Sequence, residues 1–459
     1  MVTISSPGTA GNQGEGAARP GRSARWARWF WRRSGAKALW TAHRFRRLRR
    51  EWRDLVPVDD APPAVRPAAS RRARVLLIPP DPLLLTASRG DEAMLLALMA
   101  SCRDLFDGPE FVIATAGDEA DRCARRLGAR PCRALDDGLC LRRSMDAVAA
   151  LEVTHCVTLG ADVCDGSYDP VFSARLLLLT DLVLRSGARC VVNGFSFSDR
   201  AYPGLAAVFA GLSRALVLNL RDPVSHRRFV AFAGVPAEST ADIAFLLDAQ
   251  AASEARIEPL AAWVRSRRER GDTVIGFNIH PLLVELDQRH RLPALVAEVG
   301  AALKELIGST RVSLVLLEHD FRGASADRNC FDPLMECLRR HGCADRVFHP
   351  VEPMDAVELK AGVAHLDGVV SGRMHLAIAA LGMGVPVLAF GYKGKMEGLL
   401  AHFGLDPGLA IPGAELFDRA TLASRLRSFV GELDRIRAQV DAGLPGVRDL
   451  ARRNLASFR

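Results

Sequence analysis

Short unbroken apolar runs recur along the chain, each closed by a Gly-, Ser- or Asp-containing loop and followed by a stretch of helical period. That alternation constrains the fold more than any other feature. The runs include RVLLIPP after Ala73, FVIATA at 111–116, THCVTLGA at 154–161, CVVNGFSFS and ALVLNLRD, then VIGFNIHPL, VSLVLLEHD and Val387 to Phe390. A strand that is apolar throughout is buried on both faces, which is the condition of a parallel sheet covered by helices. Helical stretches of the right kind lie between the runs, among them DEAMLLALMASCRDLF, with Asp91 and Glu92 in its first turn, and Leu292 to Ile307. A length of 459 residues exceeds one ordinary core, so the runs are divided between two units meeting near Ala252. Residues 414–459 read as terminal helices, the last exposed and polar.

Charge is uneven. Residues 1–55 hold thirteen Arg or Lys against Glu15, Glu51 and Asp54, and with a total of +8 the remainder is slightly acidic. Residues 1–20 are Gly-, Ala- and Ser-rich and read as unstructured. Residues 22–55 carry Trp26, Trp29, Trp31, Trp40 and Trp52 among the arginines. Indole and guanidinium together suit the headgroup layer of an anionic membrane, so peripheral membrane contact through 22–55 is the first reading. Packing of the tryptophans on the protein itself is the second, and no nucleic acid is expected. Residues 56–70 form a Pro- and Ala-rich linker. The domains are therefore 1–70, a basic extension and linker; 71–251, the N-terminal unit; and 252–459, the C-terminal unit.

Chemistry concentrates in VVSGRMHLAIAALGMGVPVLAFGYKGK at 369–395. A strand ends at Val370, Ser371-Gly372 turns the chain, and Arg373 and His375 fall at a helix start, where free N–H groups and the dipole favour an anion. Arginine supplies a fork for carboxylate or phosphate, and histidine moves protons near neutral pH. Lys393 and Lys395 follow the next strand, at the edge where open α/β sheets bind ligands. Other strand ends carry Asn278, His319 and Arg221; Arg221 is either a cleft cation or a partner of Asp222. Three strand ends of the first unit deliver Gly90, Asp91 and Glu92, Asp162 and Asp165, and the NGFSFS segment to one edge, where the acids suit sugar hydroxyls.

Ser-Gly-Arg-Met-His followed by the small-residue helix, Gly-Val-Pro and a lysine-bearing loop resembles the signature of the polysaccharide pyruvyl transferase family. SRGDEAML at 88–95, LGADVCDGSYDP at 159–170, NGFSFS at 193–198, RDPVS at 221–225, TADIAFLL at 240–247, IGFNIHPL at 275–282 and LLEHD at 316–320 resemble it in the same order. The resemblance covers about residues 72–445; Gly372 and Met374 depart from the usual pattern without removing a functional group. It implies two Rossmann-like domains facing a cleft, the glycosyltransferase-B type, and transfer of pyruvyl from phosphoenolpyruvate onto a sugar of a polysaccharide or lipid-linked oligosaccharide. His375 and Arg373 are then catalytic. Arg373, Ser371, Gly372, Lys393, Lys395, Asn278, His319 and Arg221 serve the donor, and Gly90, Asp91, Glu92, Asp162 and Asp165 the acceptor. Phosphoenolpyruvate is a co-substrate; no cofactor and no metal is expected. His375→Ala and Arg373→Ala are each expected to abolish transfer with the fold intact.

The alternatives are a nucleotide-sugar glycosyltransferase on the same frame and an inactive polysaccharide-binding assembly protein. A Walker loop, a dinucleotide fingerprint and a Gly-x-Ser-x-Gly elbow are absent from the sequence. Ten scattered cysteines without Cys-x-x-Cys read as buried apolar residues of a reducing cytoplasm, and the expected location is cytoplasmic, possible contact with the inner membrane face included. The uncharged run Leu376 to Tyr392 holds Gly382, Gly384 and Pro386 and reads as helix, turn and strand rather than as a membrane span.

Overall fold

In the computed structural model the apolar runs form two parallel sheets. The model describes residues 36–56, 72–136, 140–391 and 394–459. The stretch read as unstructured at 1–20, Trp26, Trp29 and Trp31, nearly all of the linker, and Lys393 lie outside the described residues.

The first sheet contains β1 (Arg74–Ile78), β2 (Glu110–Ala114), β3 (Arg130–Cys132), β4 (His155–Leu159), β5 (Arg189–Phe195), β6 (Val217–Leu220) and β7 (Glu238–Ser239), in the order β3-β2-β1-β4-β5-β6-β7. The second contains β8 (Thr273–Asn278), β9 (Val312–Leu316), β10 (Val347–Phe348), β11 (Gly368–Ser371), β12 (Val387–Phe390) and β13 (Ala410–Ile411), in the order β10-β9-β8-β11-β12-β13. In each sheet the order of winding reverses once, between β1 and β4 and between β8 and β11. At such a switch point the loops leaving two neighbouring strands turn to opposite faces and open a crevice. The two crevices face one another.

The helices that carry or support the site are α1 (Ala36–Leu55), α2 (Arg89–Leu105), α3 (Pro170–Arg185), α4 (Pro223–Ala233), α5 (Ala356–Val363), α6 (Met374–Gly382) and α7 (Leu433–Arg452), of which α2, α4 and α6 reach the cavity. Two of them depart from the sequence reading. Helix α1 lies on α3 of the first domain, burying Phe45, Leu48 and Trp52. Trp52 Nε1 donates to the buried Asp181 carboxylate at 2.9 Å. Packing on the protein, the second reading, thus describes Trp52, whereas Trp40 stays exposed with Arg44 over its ring. Phe45, Leu48 and Trp52 recur at helical spacing, so they fall on one face of α1 and bury together against α3.

Helix α7 is the other departure. It is not an exposed polar helix: Leu433, Ile436, Val440, Leu444, Val447 and Ala451 are buried along one stripe. The residues after it cross back to the first sheet. There the buried Asn454 accepts from Thr240 Oγ1 at 3.1 Å through its side chain and from Asn219 Nδ2 at 2.9 Å through its carbonyl, and donates to the Ala241 carbonyl at 2.7 Å. The chain terminus therefore belongs structurally to the first domain. All ten cysteines are unbridged. Among the described residues no helix is long and apolar enough to cross a membrane.

Candidate active site

Between the two switch points lies a cavity of about 1460 Å³. The loop after β1 and the start of α2 bring Ser88 and Asp91 to it, the loop after β4 brings Asp162, and the end of β6 brings Arg221. From the second domain come His280, His319, Arg322, Gly372, Arg373, His375 and Lys395. Gly90, Glu92, Asp165, Asn278 and Ser371 do not line it, and each has a structural task instead.

Gly90 lies directly under the His375 ring. A Cβ at that position would come 2.3 Å from His375 Nδ1, so only glycine lets α2 and α6 approach this closely. Glu92 turns away from the cavity to Arg89 at 3.0 Å and the backbone N–H of Ala356, at the start of α5, at 3.1 Å. Asp165 accepts from Ser167 N at 2.8 Å and Ser198 N at 3.2 Å and shapes its loop. Asn278 donates to the Leu317 carbonyl and to Asp327, both at 2.8 Å. The Ser371 hydroxyl accepts from the Arg373 N–H at 3.0 Å and holds the turn before α6.

Arg373 is not a free cation. Its Nη2 and Nε donate to Asp327 Oδ1 at 2.6 and 2.9 Å, Nη1 to Asp320 Oδ2 at 3.1 Å, and Nη2 also to the Ser325 carbonyl at 2.6 Å. Asp320 in turn holds Arg322, which reaches Asp81 and Asp91 across the domain boundary, both at 3.3 Å. The two carboxylates fix Arg373 in place and offset its charge. Asp320 closes the LLEHD segment, yet nothing there marks it as the partner of Arg373, and Asp327 carries no signal of its own, because a turn acid looks the same whether it faces water or an arginine.

Arg221 does not pair with the neighbouring Asp222. Its Nη1 donates to Asp242 Oδ2 and its Nε to Ser196 Oγ, at 2.9 and 2.7 Å. Among the described residues nothing accepts from its Nη2. Asp242 Oδ2 also lies 3.3 Å from the buried His375 Nε2, an ion pair when the imidazole is protonated. His375 and Arg221 together hold Asp242 well below the usual carboxylate range despite its burial. The buried Lys360 donates to the carbonyls of Ala244, Phe245 and Leu247, at 3.3, 3.0 and 2.7 Å, and secures the turn that Asp242 begins. Burial lowers this lysine to about 7.

The other titratable groups are sorted by environment. His280 accepts from Leu282 N through Nδ1 and meets the Gly372 carbonyl through Nε2 at 2.7 Å, so its proton sits on Nε2; burial and Arg373 keep it neutral. His319 is kept neutral the same way, its Nδ1 buried without a partner and its ring parallel to that of His375 at 6.3 Å. Asp91 is pushed up to about 6 by burial, against the opposing pull of Arg322 and His375. Lys395 bonds Asp162, which also accepts from Tyr168 at 2.9 Å, and the lysine holds the Asp162 carboxyl well down despite burial. An imidazole set against a buried carboxylate, a carboxyl raised to about 6 and a guanidinium edge from which no described residue accepts surround one cavity.

Two parallel-sheet domains whose switch points face one another across a cavity define a fold of glycosyltransferase-B type. The fold is shared with a Listeria monocytogenes protein assigned as a UDP-N-acetylglucosamine 2-epimerase, at 15% identity over 84% of this chain and 96% of that one, with a TM-score of 0.56. It is shared as well with a Neisseria meningitidis UDP-N-acetylglucosamine 2-epimerase bound to UDP-N-acetylglucosamine, at 10% over 84% and 99%, TM-score 0.55. A glycosyltransferase from Rickettsia africae matches at 10% over 85% and 98%, TM-score 0.52. At these identities the likeness concerns the fold alone. No curated protein matches the sequence. The polysaccharide pyruvyl transferase family model matches residues 89–394, so the chain belongs to that family and is a transferase enzyme.

Proposed function

We propose that the protein transfers pyruvyl from phosphoenolpyruvate to two hydroxyls of one sugar in a polysaccharide or lipid-linked oligosaccharide, forming a ketal and releasing phosphate. The observation that carries this reading is the meeting, at the N-terminus of α6, of His375, backed by the Asp242 carboxylate, with Arg373 and the open Nη2 edge of Arg221. A donor with a carboxylate and a phosphate needs fixed donors on both groups. Arg221, the first N–H groups of α6 and the anchored Arg373 supply them, with Lys395 beside.

In the reaction one sugar hydroxyl adds to C2 of the donor while its methylene carbon takes a proton. The second hydroxyl then displaces phosphate and loses its own proton. His375 is the group for the proton at carbon, stabilised when charged by Asp242 at 3.3 Å. Asp91, titrating near 6, is placed to accept from a sugar hydroxyl. Phosphate departs toward Arg221 and the helix start.

Incubation of the full chain with phosphoenolpyruvate and extracted lipid-linked oligosaccharides should add the mass of a pyruvyl ketal and release one phosphate per ketal. A UDP-sugar serving as donor in place of phosphoenolpyruvate would overturn the reading. The exposed Arg46, Arg47, Arg50 and Arg53 give α1 a basic face, which supports contact with an anionic membrane and a lipid-borne acceptor at its cytoplasmic side. Flotation with anionic liposomes tests this. The deletion is set at residue 35, because α1 is part of the fold, and equal flotation of both chains would end the idea.

A further inference from the structure

His375 and the carboxylate set against it belong to different halves of the molecule. His375 is carried by α6 in the second domain, whereas Asp242 follows β7 of the first sheet and is bound there by Arg221, at the end of β6, at 2.9 Å. The 3.3 Å between Asp242 Oδ2 and His375 Nε2 is therefore set by how the chain is fastened where it crosses from one sheet to the other. A carboxylate beside an imidazole orients the ring and stabilises its charged form only while the two stay in register.

Buried side chains fasten the crossing on both sides of Asp242. Before it, Asn454 accepts from Thr240 Oγ1 at 3.1 Å and donates to the Ala241 carbonyl at 2.7 Å. After it, the chain makes a single helical turn, Ile243–Leu246, which the Asp242 side chain caps by accepting from Ala244 N at 2.9 Å. Carbonyls in and just past that turn converge on Lys360 of α5, which donates to Ala244, Phe245 and Leu247 at 3.3, 3.0 and 2.7 Å. An ammonium has three donors, and here each has its own acceptor, among carbonyls that a helix end leaves short of partners. Burial disfavours the charge, as the lowering of Lys360 to about 7 shows, and what the charge achieves is this hold on the turn. Lys360 does not line the cavity, yet it shares a small void with His319 and His375, and α5 packs on α6. The turn is thus tied to the neighbour of the helix that carries His375.

We propose that Lys360 is a positioning residue: by tying the 243–247 turn to α5 it keeps the Asp242 carboxylate opposite His375 Nε2, while touching neither substrate. That this serves ketal formation rests on the transfer reading; the placement of the Asp242–His375 pair does not.

The test compares the full chain with Lys360→Met, Asp242→Asn and the two combined. Lys360→Met keeps the length of the side chain and removes its donors. It should lower kcat for ketal formation about 10- to 100-fold, with KM for phosphoenolpyruvate within about threefold of wild type. Both changes act on one pair, so the double variant should be slower than Asp242→Asn by no more than about threefold. With isotope-labelled histidine, the His375 Cε1–H signal is assigned by its loss in His375→Gln, and its titration midpoint should move the same way in Lys360→Met as in Asp242→Asn. Should Lys360→Met fold poorly, Lys360→Gln, with two donors on a shorter stem, should show the same displacements at smaller amplitude. A lysine that serves only stability would lower Tm and leave the titration of His375 in place. That result, or rate losses that multiply in the double variant, would overturn the proposal. Wild-type protein that forms no ketal, with the His375 signal still displaced in the variants, would count against the transfer reading alone.

Discussion

Gly90→Ala isolates the positioning of His375 from its chemistry. The added methyl would sit 2.3 Å from Nδ1, 2.6 Å from Cγ and 3.0 Å from Cβ of His375. An unstrained contact needs about 3.5 Å, so the imidazole must withdraw by roughly 1 Å or α2 must lift from α6. Overpacking of this kind costs about 1–3 kcal/mol, of which alanine in a helix returns up to about 1 kcal/mol. The variant should therefore lose no more than about 3 kcal/mol of stability by that balance. A displacement of about 1 Å at a proton-transferring group is worth on the order of 100-fold in rate. Steady-state ketal formation at saturating donor, with Tm measured alongside, reads both quantities. Gly90→Ala with kcat within about threefold of wild type would refute the placement of His375 at the reacting atoms, since a shift that large cannot be neutral there.

His375→Ala should abolish transfer and leave Tm nearly unchanged, read by product mass and thermal melt. Arg373→Ala, expected from the sequence to spare the fold, should not spare it: Asp320 and Asp327 would lose their buried partner, at a cost of about 3–5 kcal/mol, and circular dichroism melts should show it. Asp91, raised to about 6, binds its proton in the folded state before it does so unfolded, so its contribution favours folding at low pH and is lost as pH rises from about 4 through 6. Asp91→Asn should remove that slope from a Tm-against-pH series, together with the acid limb of the rate profile; an unchanged slope would count against it. Trp52→Ala should destabilise by about 3–5 kcal/mol, because a buried indole is lost from the α1–α3 contact, and α1 should become the first site of limited proteolysis.

The sequence by itself determined most of the elements and which polar side chains stand at their ends. Continuous apolar runs specify strands covered on both faces, and Arg373, His375, Asp91 and Asp162 were legible because loops at strand ends are the places where polar groups can be both fixed and exposed to a ligand. What it did not determine was which loops face one another. The reversals of strand order at β1/β4 and β8/β11 bring Asp91 and Asp162 to His375 and Lys395 while leaving Glu92, Asp165 and Asn278 as internal supports. Partners were equally hidden: Asp242 lies in TADIAFLL and Asp327 eight residues beyond His319, and nothing local marks either as the counter-charge of a distant arginine. Local pattern records burial and period, which neighbours in sequence enforce; pairing between residues 21 to 53 positions apart, as for Arg221 with Asp242 and Arg373 with Asp320, depends on how the sheets are wound and on how the two domains close.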